Sequence, residues 1–207
     1  MKHLKSLSLA AFAAIIALLC LGTGSASATV LCKTATNPCT SDYPSGTEIH
    51  IVQAGEVVLE SPSGGTIYEK CPIHTTQGKT TNTGGLGKAL EIQIQSNTWI
   101  NCNNPIQTLV NGSLDIQYTS GGGGTVTAKG GEWKWEIYTS GGLIRHDCWY
   151  TTGTGTQIGT INGGAPATIQ VNVVMKKQAG SIGCWAETRW TGNYEVTTPN
   201  PLYIAGS

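Results

Sequence analysis

The chain has 207 residues, and its 12 Lys and Arg are balanced by 12 Asp and Glu, for a formal net charge of zero. Charged residues are only 12% of the total. No basic stripe exists, which excludes nucleic acid as a partner and favours an exposed, neutral surface that meets other neutral polymers.

The first 28 residues read as a secretory signal: a basic start with Lys2, His3 and Lys5, an apolar run from Leu9 to Leu21, and small residues ending in Ala26-Ser27-Ala28. The run is shorter than the ~20 residues of a membrane span. No other lengthy apolar segment follows, so no membrane association is expected after cleavage. Residues 29–207 are expected to form a single secreted domain of 179 residues, long enough to bury a sizeable core. Of the seven cysteines, Cys20 leaves with the leader. Cys32, Cys39, Cys71, Cys102, Cys148 and Cys184 remain, an even set that reads as three disulfides in an exported protein. Pairing sequence neighbours gives Cys32 with Cys39, Cys71 with Cys102, and Cys148 with Cys184, as one of 15 possible connectivities. Without a C-x-x-C pair or a Cys/His cluster, neither a metal site nor a cofactor is expected.

In chain order, Thr29 to Pro44 reads as a loop clipped by its own two cysteines. Thr47 to Gln53 and Glu56 to Glu60 are strand-like, and the Ala54-Gly55 between them predicts a hairpin. Ser61 to Gly65 is a turn into a strand ending at Cys71. Gly78 to Gly87 reads as an exposed loop, and Ala89 to Gln95 alternates cleanly, with Leu90, Ile92 and Ile94 on one face. A strand from Ile106 to Val110 meets a tight turn at Asn111-Gly112. Another strand runs through Leu114, Ile116 and Tyr118 to Gly121–Gly124, which reads as a flexible connection. Gly130-Gly131 predicts a turn before Glu132 to Tyr138, where Trp133, Trp135 and Ile137 share a face. Ser140-Gly141-Gly142 turns again, Leu143 to Tyr150 returns, and Thr151 to Thr156 reads as a loop. Ala167 to Met175 carries the strongest strand signal of the chain. No helical stripe occurs outside the leader. The fold class expected is all-β: a disulfide-stapled β-sandwich, immunoglobulin-like or jelly-roll, with about ten to thirteen strands.

Residues 29–207 contain no Phe, since the single one is Phe12, yet they keep six Trp and seven Tyr. Every aromatic there has a polar tip, which suits half-exposed positions where a ring stacks and an N–H or O–H bonds. Trp133, Trp135, Trp149, Trp185 and Trp190 are therefore candidates for a platform that stacks on sugar rings; the competing reading places them in the core. Catalysis is not expected. There is no G-x-S-x-G elbow, and no Ser stands out beside His50, His74 or His146. His146 and Asp147 point to opposite faces of a strand. Glu132 and Glu136 would lie ~13 Å apart along one strand, beyond the ~5 to 9.5 Å spacing of glycosidase carboxylates.

The leader ending in Ala-Ser-Ala, the L-C-K-x-x-x-N-P-C that follows, the G-G-A-P-A-T-I before the long strand, and the closing W-T-G-x-Y-x-V-x-x-P-x-x-L-Y together resemble a group of secreted actinobacterial all-β proteins with no established activity. The resemblance implies an exported, disulfide-containing β domain and transfers no ligand or catalytic residue. The function expected is that of a secreted, non-enzymatic binding or interaction protein whose partner is an extracellular polysaccharide or cell-wall glycan. A self-associating adhesive protein and a secreted glycosidase are the alternatives.

Overall fold

The computed structural model describes residues 28–139 and 143–206. The predicted leader and the Ser140-Gly141-Gly142 turn lie outside the described residues, save Ala28. The described chain is all-β, with fifteen strands. In chain order these are β1 (Val30–Cys32), β2 (Glu48–Gln53), β3 (Val57–Glu60), β4 (Ile67–Cys71), β5 (Ile73–Thr80), β6 (Leu90–Ile100), β7 (Ile106–Val110) and β8 (Ser113–Tyr118). They continue as β9 (Gly123–Lys129), β10 (Glu132–Thr139), β11 (Ile144–Thr151), β12 (Thr154–Asn162), β13 (Ala167–Gly180), β14 (Glu187–Thr198) and β15 (Tyr203–Ala205).

The expected sandwich gives way to a barrel. Thirteen strands form one sheet, and because β13 pairs with β14 the sheet closes into an eight-membered ring, β14-β2-β5-β6-β8-β9-β12-β13. The other five strands continue above the ring, β3 and β4 from the side of β14, and β11, β10 and β7 from the side of β13. All ladders are antiparallel.

The physical device is a set of long ribbons bent at a common waist. Strands β2 and β3 do not form the predicted hairpin; both run antiparallel to β14, stacked end to end along it, with Ala54-Gly55 as the offset between them. Asn111-Gly112 likewise separates β7, paired to β10, from β8, paired to β6 and β9. Gly130-Gly131 and Thr152-Gly153 do the same for β9/β10 and β11/β12. Gly112 has φ of +68° and a Cβ there would lie 2.6 Å from the Lys129 carbonyl oxygen, so only glycine fits where the ribbons switch partners. Fifteen strands are found where ten to thirteen are predicted because β1, β5, β12 and β15, rich in Thr, Gly or Cys or only three residues long, carry little local strand signal. The Gly121–Gly124 run is a tight β8–β9 turn and not a flexible tether: Thr119 N–H and Gly123 N–H donate to Gly123 O and Ser120 O.

Below the waist the interior is aliphatic. Strand β13 alternates strictly, with Ala167, Ile169, Val171, Val173 and Met175 buried. Leu31 of β1 and Leu202, just ahead of β15, reach in among Ile49, Ile92, Ile116 and Ile161 and plug the open end. The β1–β15 ladder holds this plug together, and Asn37 inside the Cys32–Cys39 clip accepts from Gly206 N–H and donates to the Tyr118 hydroxyl. The other two disulfides, Cys71–Cys102 and Cys148–Cys184, follow the predicted pairing.

Above the waist the interior is aromatic, and one carboxylate organises it. Glu69 of β4 is fully buried. Its oxygens accept from Lys70 N, Asn104 N, Asn104 Nδ2 at 2.7 Å and Trp135 Nε1 at 3.1 Å. No ion pair to Glu69 is found among the described residues. Four N–H donors substitute for a counter-ion, and they tie the loop after Cys102 to the aromatic core. Glu69→Gln keeps the volume but turns an amide NH2 toward groups that only donate. The expected result is a loss of about 2–4 kcal/mol of unfolding free energy in urea titration. A variant as stable as the parent would show that the carboxylate is dispensable.

Candidate functional site

The five tryptophans proposed as a platform are not brought together on one surface. Trp133, Trp135 and Trp190 are 8%, 1% and 6% exposed and belong to the core, so the predicted pairing of Trp133 with Trp135 on one strand face is real but faces inward. Trp149 is half-buried on β11, on the opposite face, cross-strand from Lys134. Only Trp185 lines an open concavity.

That concavity is a groove of about 500 Å³ lined by Pro62, Tyr68, Lys176, Lys177, Trp185, Ala186 and Glu187. The Tyr68 and Trp185 rings stack at 3.8 Å between centroids and 5° between planes. Behind them Trp185 leans on buried Trp135 at 5.6 Å, and Trp135 in turn contacts Tyr150, whose hydroxyl donates back to Trp185 O. The stack thus runs from the core outward and ends on Tyr68. Burial pushes the Tyr150 phenol well above its ordinary value, so it stays a neutral donor. Lys176 and Lys177 come from the outer end of β13, and Glu187 opens β14, so one hairpin supplies both charge signs on the rim. Sequence reasoning missed Tyr68, because its partner lies 117 positions away and no local pattern links β4 to the β13–β14 turn.

A second concavity is internal, a cavity of about 60 Å³ at the waist, walled largely by aliphatic side chains and reached by His74, Trp133, Trp190 and Tyr194. Two of the residues around it, with Gly192 between them on the strand, explain the W-T-G-x-Y element. Trp190, Gly192 and Tyr194 share the inner face of β14 at a period of two; the Tyr194 ring lies over Gly192, where a Cβ would come within 3.2 Å of it. Trp190 Nε1–H donates to the Tyr194 oxygen at 3.0 Å, and the Tyr194 oxygen stands 2.9 Å from His74 Nδ1. Trp190 only donates. A proton on His74 Nε2 lets the Tyr194 hydroxyl donate to Nδ1, whereas a proton on Nδ1 leaves both the hydroxyl proton and Nε2 without partners, so the Nε2 tautomer leaves fewer buried groups unsatisfied. The His74 ring also stacks on Trp99 at 3.6 Å.

The polar groups elsewhere do not converge on a cleft. Asp147 pairs with Arg145 at 2.7 Å and with Lys134, which also meets Glu136. The Arg145 hydrogen bond holds the Asp147 carboxyl below its usual range. His146 instead meets Ser181 Oγ at 2.7 Å, a contact across 35 residues that sequence adjacency does not reveal. Neither His146 nor Ser181 lines the groove or the cavity. No group of three or more metal-ligating side chains occurs among the described residues.

Burial lowers the His74 pKa to about 3, with Asn97 pulling weakly the other way. Between pH 6.5 and 3 the unfolded chain takes up a proton that the native state refuses, so this contribution to stability is complete above pH 6.5 and is lost as the pH falls. The slope from this one group is about 1.4 kcal/mol per pH unit. His74→Phe should flatten the pH dependence of urea unfolding between pH 6 and 4 by that amount relative to the parent. Parallel slopes in the two proteins would show that His74 is not held neutral.

The chain matches no family model, no curated protein and no solved structure, so its likeness to secreted actinobacterial proteins stands on the quoted motifs alone.

Proposed function

We propose that the protein is a secreted, non-enzymatic binding module that takes a neutral polysaccharide, from the extracellular medium or a cell wall, along the groove floored by Tyr68. The observation that carries this reading is the Tyr68–Trp185 stack, a half-buried aromatic pair whose geometry is fixed from behind by Trp135. Sugar C–H faces stack on such rings, and hydroxyls both donate and accept. The rim offers both partners, with ammonium donors at Lys176 and Lys177 and a carboxylate acceptor at Glu187. A volume of about 500 Å³ accommodates one or two sugar residues. Three disulfides fit an extracellular setting, and no helix among the described residues is long and apolar enough to cross a membrane.

Retention of the oxidised protein on insoluble polysaccharides and cell walls tests this directly. Tyr68→Ala should weaken retention by about tenfold or more, while Trp149→Ala, outside the groove, should leave it unchanged. Equal retention of parent and Tyr68→Ala would remove the groove from the account.

Self-association is the second reading, favoured by Ile182 and Leu143, which stand almost fully exposed at the ends of neighbouring hairpins. On this reading Ile182→Lys lowers the apparent mass of the protein in sedimentation velocity, whereas a monomeric parent sinks it.

A further inference from the structure

We propose that the cavity at the waist is a second binding site, for a small neutral molecule carrying a hydrogen-bond-accepting oxygen on a short apolar body: the class of short ketones, aldehydes and sulfoxides. An eight-stranded barrel has an interior just wide enough to be filled by side chains or to hold one small ligand. Here the side chains leave about 60 Å³ unfilled, room for roughly four or five non-hydrogen atoms.

Two buried donors border this space without a partner. His74 Nε2 and Trp133 Nε1 make no hydrogen bond, although the residues are 1% and 8% exposed. In the tautomer that lets the Tyr194 hydroxyl donate to Nδ1, His74 Nε2 is a donor. Asn97 approaches the ring but does not reach hydrogen-bond geometry with Nε2. A buried donor without a partner is destabilising, and a single acceptor oxygen would offset both.

Water is the poorer occupant. It needs two to four polar partners, some of which must accept its own protons. Each acceptor lining the cavity already takes part in a bond: Asn97 Oδ1 takes the Thr76 hydroxyl at 2.6 Å, Asn111 Oδ1 takes Asn97 Nδ2 at 3.4 Å, and the Ser113 and Thr152 hydroxyls donate to Glu91 and to Gly153 O, so each offers a water proton only a remaining lone pair. The opposite wall is aliphatic, with Val126, Ala128, Ile158 and Val171. One cavity lined by residues that carry two unpartnered donors and by aliphatic side chains complements an oxygen at one end of a molecule and methyl groups at the other. Trp133 is set in place by Gly131, where a Cβ would fall 2.6 Å from the indole ring.

The β6–β8 ladder stops at Gln93 and Ser113, and β7 has by then moved to β10. The seam is bridged by Asn97 Nδ2 to Asn111 Oδ1 at 3.4 Å, Asn111 Nδ2 to Gln95 O at 2.8 Å, Ile94 N to Gly112 O at 3.2 Å and Thr108 Oγ1 to Asn97 O at 3.2 Å, and Asn97 and Asn111 both line the cavity.

The test is a titration of the oxidised, 15N-labelled protein with acetone and with dimethyl sulfoxide, following the Trp133 indole N–H resonance. The expected result is a saturable shift of that resonance. Ala128→Val and, from another strand, Val171→Ile each fill the cavity and should weaken the apparent affinity by about tenfold or more. Tyr68→Ala should leave it unchanged, because the groove is separate. A shift that never saturates, or that is the same in both filled variants, overturns the proposal. So does a water molecule bound at the Trp133 N–H that neither probe displaces.

Discussion

The ladder between β13 and β14 joins ten residue pairs, from Ala167↔Val196 to Lys176↔Glu187, and the rest of the molecule hangs on it. Its lower half closes the ring, because β13 meets β12 there while β14 meets β2. Its upper half carries the two flanks, β11 on one side and β3 on the other. Each strand therefore changes its outer neighbour partway along. That is possible only if the chains beside it are also interrupted at that height, and Gly55, Gly112, Gly130 and Gly153, all at positive φ, supply the interruptions. Asn111, at the same height, donates to Gln95 O, so a side chain replaces a ladder bond that the bend has removed.

The change of partner also divides the interior by chemistry. Below the waist a closed ring satisfies its own backbone, and branched aliphatic side chains fill the space. Above it the sheet is open, with β4 and β7 as edges, and loops must cross the gap. A loop brings unpaired N–H groups into the interior, and Glu69 collects them: Asn104 N, Asn104 Nδ2 and Trp135 Nε1 converge on one carboxylate. The aromatics with polar tips belong in this upper half for the same reason. Phe could fill the volume, but it could not return a hydrogen bond to a crossing loop, as Tyr150 does to Trp185 O.

The all-β class, the number of disulfides and most strands were legible in the sequence because they rest on local signals: period-two alternation in β6, β10 and β13, and parity of the cysteines; the pairing of sequence neighbours is the one found, but parity alone left 15 connectivities open. Strand β5 was not. Its inward residues are His74, Thr76, Gly78 and Thr80, which read as a polar loop because their partners, Tyr194, Asn97 and the Gln93 carbonyl, come from other strands. Strand β12 was hidden in the same way behind Thr and Gly. The glycine dipeptides misled in the opposite sense. A residue pair that permits positive φ serves a hairpin turn and a mid-ribbon bend equally well, and only the pairing partners distinguish them. Closure of the ring, a contact between the ends of a long sheet, leaves no local trace at all. Of the candidate site, Trp185 was found by its residue type, and the burial of Trp133, Trp135 and Trp190 was one of the two readings their alternation allowed.

The groove and the cavity are linked to the same hairpin but not to each other's chemistry. Trp185 and Glu187 sit just before and at the start of β14, while Trp190 and Tyr194 line its inner face further along. At the outer end the rings stack face to face and are wetted, which suits a ligand that brings its own hydroxyls. At the inner end the rings meet edge to face, as Trp133 and Trp190 do at 5.6 Å and 72°. That arrangement leaves a gap because two indoles packed edge to face cannot tile the volume that aliphatic side chains fill below. The gap and its unpaired N–H groups lie where tryptophan takes the place of the aliphatic packing of the closed ring. Filling the space with Leu or Ile would have removed both the void and the orphaned donors. A core that keeps them holds two buried donors, on residues lining one cavity, that no group of the described chain satisfies.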